Sequence, residues 1–175
     1  MVVIVMGPSG AGKSTIGRAL AVTLGWPFIE ADKFHSLENI ATMRRGDALS
    51  DMERGPWLDA VHAAIIDAVE RHDSVVVACS ALKVQYRTVL RGGLREVLFV
   101  YLKADMQLLR ERLVTRPDHF AGPALATSQL ATLEEPHDGA LTVDAADLPD
   151  VIVSTIQRAL AARSLGRPTP PGAAI

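Results

Sequence analysis

Cysteine is almost missing from this chain. Cys79 is the single one in 175 residues, which excludes an internal disulfide and suits a reducing compartment without proving one. Charge of one sign is not in excess either: 18 Lys and Arg stand against 20 Asp and Glu, a net charge of −2. That balance supplies no field for a polyanion and argues against a nucleic-acid-binding protein. No stretch approaches the length of a membrane span, so no membrane partner is expected. The apolar start, Val2 to Met6, has no Lys or Arg before it and runs straight into a glycine-rich segment. A strand is expected there rather than a secretory leader, and the cytoplasm is the expected location. A guanine-reading N-K-x-D motif and a switch Asp-Gly pair are both missing where they would be expected, which argues against a nucleotide-dependent switch protein. No internal repeat is visible. With 49% hydrophobic and 22% charged residues the chain can bury one substantial core. One domain is expected over residues 1–164, followed by a Pro- and Gly-rich tail at 165–175.

What is present begins with Gly7-Pro8-Ser9-Gly10-Ala11-Gly12-Lys13-Ser14, between the apolar run and the helical stripe Ile16, Ala19, Leu20, Leu24. The order is strand, loop, helix and the spacing is G-x-x-x-x-G-K-S, the form of a nucleotide phosphate loop. Gly7, Gly10 and Gly12 let the backbone around Ser9 and Ala11 turn its N–H groups inward, and the helix N-terminus adds partial positive charge. Lys13 is expected to reach the β- and γ-phosphates, Ser14 to ligate a Mg²⁺ ion bridging them, and Thr15 to support the α-phosphate. A glycine-rich turn that binds nothing is the bland alternative, and the flanking strand and helix speak against it.

Further along, Phe28 to Asp32 predicts a short second strand ending in carboxylates. Ligands of parallel sheets sit beyond the carboxyl ends of strands, so Asp32 should face the same crevice as the phosphate loop. There it would orient and deprotonate an acceptor hydroxyl or, like Glu30, hold Mg²⁺ through water. Both could equally be solvated residues at a strand end. Residues 33–56 form a helical insertion whose candidate donors are His35, Arg44, Arg45 and Arg54, an assignment made by analogy with insertions at this point in phosphate-loop kinases. Ser50-x-x-Glu53 has the form of a capping box, although Pro56 would serve equally as an early helical residue. The β-branched run Ser74 to Cys79 predicts a strand buried on both faces, expected to be the central one. It closes on Cys79-Ser80-Ala81 with no carboxylate, which shifts metal duty to Ser14 and the second strand. Cys79 itself is expected to be small buried filling. Lys83 and Arg87 lie one turn apart at a helix start, where they oppose its dipole unless an anion sits between them. Arg112 and Arg116, four apart, open a helix–loop–helix at 112–127 in the position of a mobile lid. The alternation of strands and helices predicts an α/β phosphate-loop NTPase fold: a five-stranded parallel sheet with helices on both faces, of the nucleoside-monophosphate and shikimate kinase type.

Across residues 3 to about 160 the sequence resembles the gluconate kinases, or gluconokinases, of the phosphate-loop small-molecule kinase group. The likeness is carried by the loop; by Asp32, His35, Asn39 and Met43; by Gly46, Leu49, Asp51, Arg54, Pro56, Trp57 and Leu58; by Cys79-Ser80-Ala81-Leu82-Lys83 with Tyr86-Arg87; and by Arg112, Arg116, Ser128-Gln129 and Glu134. The C-S-A-L-K-x-x-Y-R stretch is its most specific part. The resemblance implies ATP-dependent, Mg²⁺-dependent phosphorylation of D-gluconate at its 6-hydroxyl and, commonly, a homodimer. It implies that Asp32 orients that hydroxyl, that His35, Arg54, Lys83 and Arg87 hold the hydroxyls and carboxylate of gluconate, that Lys13 with Arg116 stabilises the transferred charge, and that Arg112 stacks on adenine. Whether Arg54 or Arg87 takes the carboxylate stays open. A shikimate kinase is the nearest rival; that family has a glycine triplet after its third strand, where this chain has Ser80-Ala81-Leu82.

Overall fold

The computed structural model describes residues 1–114, 123–137 and 139–165. In chain order the elements are β1 (Val2–Met6), α1 (Lys13–Leu24), β2 (Phe28–Glu30), a 3₁₀ turn (Ala31–Phe34), α2 (Leu37–Arg44), α3 (Asp51–His72), β3 (Val75–Ala78), α4 (Val84–Arg91), β4 (Val97–Lys103), α5 (Met106–Val114), α6 (Pro123–Thr132), β5 (Leu141–Asp144) and α7 (Pro149–Leu165). All strand pairs are parallel, in the order β2-β3-β1-β4-β5. Among the described residues no helix is long and apolar enough to cross a membrane.

The central strand is therefore β1, not the Val75–Ala78 strand expected from its β-branched run. Val2 pairs with Val75 on one side and Val97 on the other. Both β1 and β3 are completely buried, so hydrophobicity alone does not rank them; the pairing does. Strand alternation divides β1 between two cores. Val3 and Val5 pack with Leu20, Leu109 and Ile156 of α1, α5 and α7, whereas Val2, Ile4 and Met6 pack with Trp57, Ile65 and Leu90 of α3 and α4. A third, small cluster joins Met43 and Leu49 to Leu125 of α6.

The second strand is shorter than its sequence pattern suggests. It stops at Glu30, and Asp32 falls in the 3₁₀ turn that follows, so the two carboxylates do not share a strand face. The start of α3 is settled by its cap. Ser50 accepts from the Glu53 N–H, and Glu53 accepts from the Ser50 N–H at 2.7 Å, a closed capping box that leaves Pro56 inside the helix.

Candidate active site

The loop between β1 and α1 has the backbone a phosphate cradle needs. Gly7 lies at φ 138° and a Cβ there would stand 3.0 Å from the Leu102 carbonyl; Gly10 lies at φ 86° with Leu113 only 3.1 Å from such a carbon. Any other residue would be strained and crowded at both positions. The first α-helical bond runs from the Ile16 N–H to Gly12 O, so the N–H groups of Lys13, Ser14 and Thr15 belong to the unpaired first turn. Lys13 Nζ spans the loop to donate to Pro8 O at 3.0 Å. Glycine cradle, helix N-terminus, lysine and Ser14 hydroxyl together form a donor set that fits a polyphosphate and its bound cation.

Beside the loop lies a cavity of about 300 Å³ lined by Gly12, Thr15, Arg112, Ala145, Asp147 and Pro149. The Arg112 guanidinium donates to Ala11 O at 3.2 Å and to Ala145 O at 2.8 Å, tying the loop after β1 to the loop after β5. A flat arginine at the wall of such a slot suits a planar base. Ala145, Asp147 and Pro149 escaped the sequence reading. The signal that would have found them is the one that found Asp32: position just past the carboxyl end of a parallel strand.

A second cavity, of about 290 Å³, is lined by Leu49, Asp51, Arg54, Lys83, Tyr86 and Gln129. Arg54 is buried, donates from Nε to Leu49 O at 3.2 Å and lies 5.7 Å from the centre of the Tyr86 ring. Lys83 is bound by both Asp51 oxygens at 2.7 and 2.8 Å, and the Tyr86 hydroxyl donates to the same carboxylate. These bonds, Lys83 first, hold the Asp51 carboxyl down at about 2. In the sequence Asp51 and Tyr86 stand out only among the residues that carry the resemblance. Their partnership spans 35 residues and has no local sequence signature.

His35 is buried and stacks on Trp57 with ring centres 4.4 Å apart and planes within 10°. Trp57 is pinned in turn by its Nε1 donating to Ala31 O at 2.8 Å. Burial, against the pull of Asp32 and aided by Arg54, lowers the His35 pKa to about 4, and its Nδ1 has no hydrogen-bond partner among the described residues. Cys79, just past the end of β3, is fully buried, with its thiol pushed up to about 12, chiefly by burial.

Two expected residues are engaged elsewhere. Arg87 Nη1 donates at 3.0 Å to both Ala81 O and Leu82 O, bracing the Ala81 backbone, which lies at φ 45°. It borders a different cavity, of about 370 Å³, together with Arg91, Phe99 and His137. Glu30 is paired with Arg18 of α1 at 3.3 Å. The anion expected between Lys83 and Arg87 comes from the protein itself: Asp51 faces Lys83, while Glu134 accepts the first N–H of α4 from Val84 at 2.5 Å and acts on Arg87. Arg44 is exposed, and Arg45 pairs with Asp47 at 3.5 Å. Of the expected lid at 112–127, helices α5 and α6 supply the two ends; Arg116 lies outside the described residues.

Known proteins share this architecture. A family model described as shikimate kinase matches residues 9–145. A probable gluconokinase of Dictyostelium discoideum is 39% identical over 168 residues, covering 89% of this chain and 84% of its own. The gluconokinase of Gluconobacter oxydans is 40% identical over 157 residues, covering 89% and 88%. Among solved structures, a gluconokinase from Sinorhizobium meliloti superposes with a TM-score of 0.78 at 37% identity, over 93% of this chain and 97% of that one. With its phosphate loop, parallel sheet and near-complete coverage by such relatives, the chain belongs to the gluconokinase family of phosphate-loop small-molecule kinases.

Proposed function

We propose that this protein transfers the terminal phosphate of ATP to the 6-hydroxyl of D-gluconate, giving 6-phospho-D-gluconate and ADP by direct in-line transfer. The observation that carries the reading is a phosphate cradle spanned by Lys13 together with a cavity that carries the cations Arg54 and Lys83. Lys13 and the loop amides hold the phosphates and neutralise charge that builds during transfer. Asp32 orients the acceptor hydroxyl and takes its proton. Arg54 rather than Arg87 receives the acceptor carboxylate, because Arg54 lines the cavity that holds Lys83, whereas Arg87 borders a different one and its Nη1 is engaged by two backbone carbonyls. Lys83 and His35 bind acceptor hydroxyls, and Arg112 stacks on the adenine. Mg²⁺ would be held by Ser14 and, through water, by Asp32 or Glu30, supplying charge neutralisation at the phosphates. Arg116 is assigned to the transferring phosphate, the working assembly to a homodimer and the location to the cytoplasm.

The test is ADP release from Mg·ATP with gluconate, shikimate, other aldonic acids, free sugars and nucleoside monophosphates as acceptors. Turnover with gluconate alone is expected. Turnover with shikimate instead would favour the second reading, which the family model supports and Ser80-Ala81-Leu82 opposes.

A further inference from the structure

We propose that Gln129 is a positioning residue that ties the shape of the phosphate loop to occupancy of the acceptor cavity. The Ser9 N–H, in the middle of the loop, donates to Gln129 Oε1 at 2.6 Å across 120 residues of sequence. Both residues are buried, at 6% and 7% exposure. A backbone N–H can only donate, so the carboxamide oxygen must face Ser9 and the nitrogen must face away. No further partner engages this carboxamide among the described residues, and Gln129 lines the cavity that holds Arg54 and Lys83. Two N–H donors are thus available to an acceptor hydroxyl or to the phosphoryl group on its way there.

The helix that carries Gln129 makes the connection mechanical. Leu125, one turn earlier on the same face of α6, packs with Met43 and Leu49 of the insertion that flanks the acceptor cavity. The loop is gripped from α5 as well, where Leu113 stands close against Gly10. One turn of α6 therefore touches the acceptor-binding segment and the phosphate loop at once. A ligand that accepts from Gln129 Nε2 fixes the carboxamide plane and with it the acceptor of the Ser9 N–H; by reciprocity, ordering the loop around phosphates favours the acceptor. Glutamine is suited to this because it accepts on one side and donates on the other. Glutamate would keep the acceptor, lose the donors and set a negative charge beside the phosphates; methionine would fill the volume and lose both.

The loop half of this inference stands alone, while the acceptor half rests on the gluconate reading. The experiment titrates ADP into wild type, Gln129→Met and Gln129→Glu by calorimetry, with and without D-gluconate, alongside melting temperatures and turnover. Gln129→Met should weaken ADP binding about fivefold without any acceptor, the weight of one buried hydrogen bond. In wild type gluconate should tighten ADP, and in both variants that effect should vanish. Gln129→Met binding ADP within about twofold of wild type, with an unchanged melting temperature, would overturn the loop half. Coupling at the wild-type level in Gln129→Glu would overturn the acceptor half, as would wild type that turns over gluconate without coupling. No gluconate turnover in wild type would instead defeat the substrate assignment and the acceptor half with it, leaving the loop half to the ADP affinities.

Discussion

Asp32 acts on both His35 and Cys79 and lies just past the end of β2. Replacing it with Asn keeps the shape and removes the base, so turnover should fall by about 10²- to 10⁴-fold with ATP affinity nearly unchanged. Steady-state kinetics beside nucleotide titration checks this, and unaltered turnover would end the assignment. His35 gives a pH prediction. Its folded pKa of about 4 lies below the ordinary 6.5, so the unfolded chain binds the extra proton first as pH falls. The contribution of neutral His35 is complete above pH 6.5 and is lost as pH falls toward 4. Denaturant melts across that window should show a shallower decline in His35→Gln than in wild type; an identical slope would mean another group is responsible. Arg54 and Arg87 separate by what each variant loses. Arg87→Met should lower the melting temperature by leaving Ala81 O and Leu82 O unpaired, whereas Arg54→Met should raise the gluconate KM strongly. At this scale the strand–loop–helix form of the glycine-rich segment and the burial of Cys79 were legible, since both follow from local context. The sequence did not disclose the anions that face the start of α4, because Asp51 reaches Lys83 from 32 residues away and Glu134 reaches the Val84 N–H from 50.

Among the elements, α3 ties stability to the site most directly. Its capping box fixes the first turn, which presents Asp51 and Arg54 to the acceptor cavity. Ser50→Ala should cost about 1 kcal/mol of stability and raise the gluconate KM while sparing ATP affinity. Urea unfolding with parallel kinetics tests both parts; a stability loss without any KM change would show that the cap only holds the helix. Helices and strands were largely legible in advance, since hydrophobic period, caps and turn residues are local signals. The end of β2 was not, for Phe28 to Asp32 reads as one extended run while the chain tightens into a 3₁₀ turn after Glu30. Trp57, whose indole bonds Ala31 O from a helix away, is part of what holds that turn.

For the molecule as a whole, ligand binding should be visible as stability. Mg·ADP at about a hundred times its Kd adds about 2.7 kcal/mol. For a chain of this size that corresponds to roughly 5–10 °C in melting temperature. Lys13→Ala should abolish most of the shift, and a full shift in that variant would argue that the nucleotide binds elsewhere. A parallel sheet clothed on both faces was foreseeable from the alternation of elements; the order of its strands was not, because β1 and β3 carry equally apolar runs and only their pairing decides the centre. That central place has a consequence for how the chain is made. β1 precedes both of its partners, which begin at Val75 and Val97, so Val2 to Met6 must wait, unpaired and wholly apolar, until β3 has been made. Nascent chains that stop short of β3 leave that strand without a partner, and the nucleotide site, hung from it, gains its full support only once β3 and β4 have both joined.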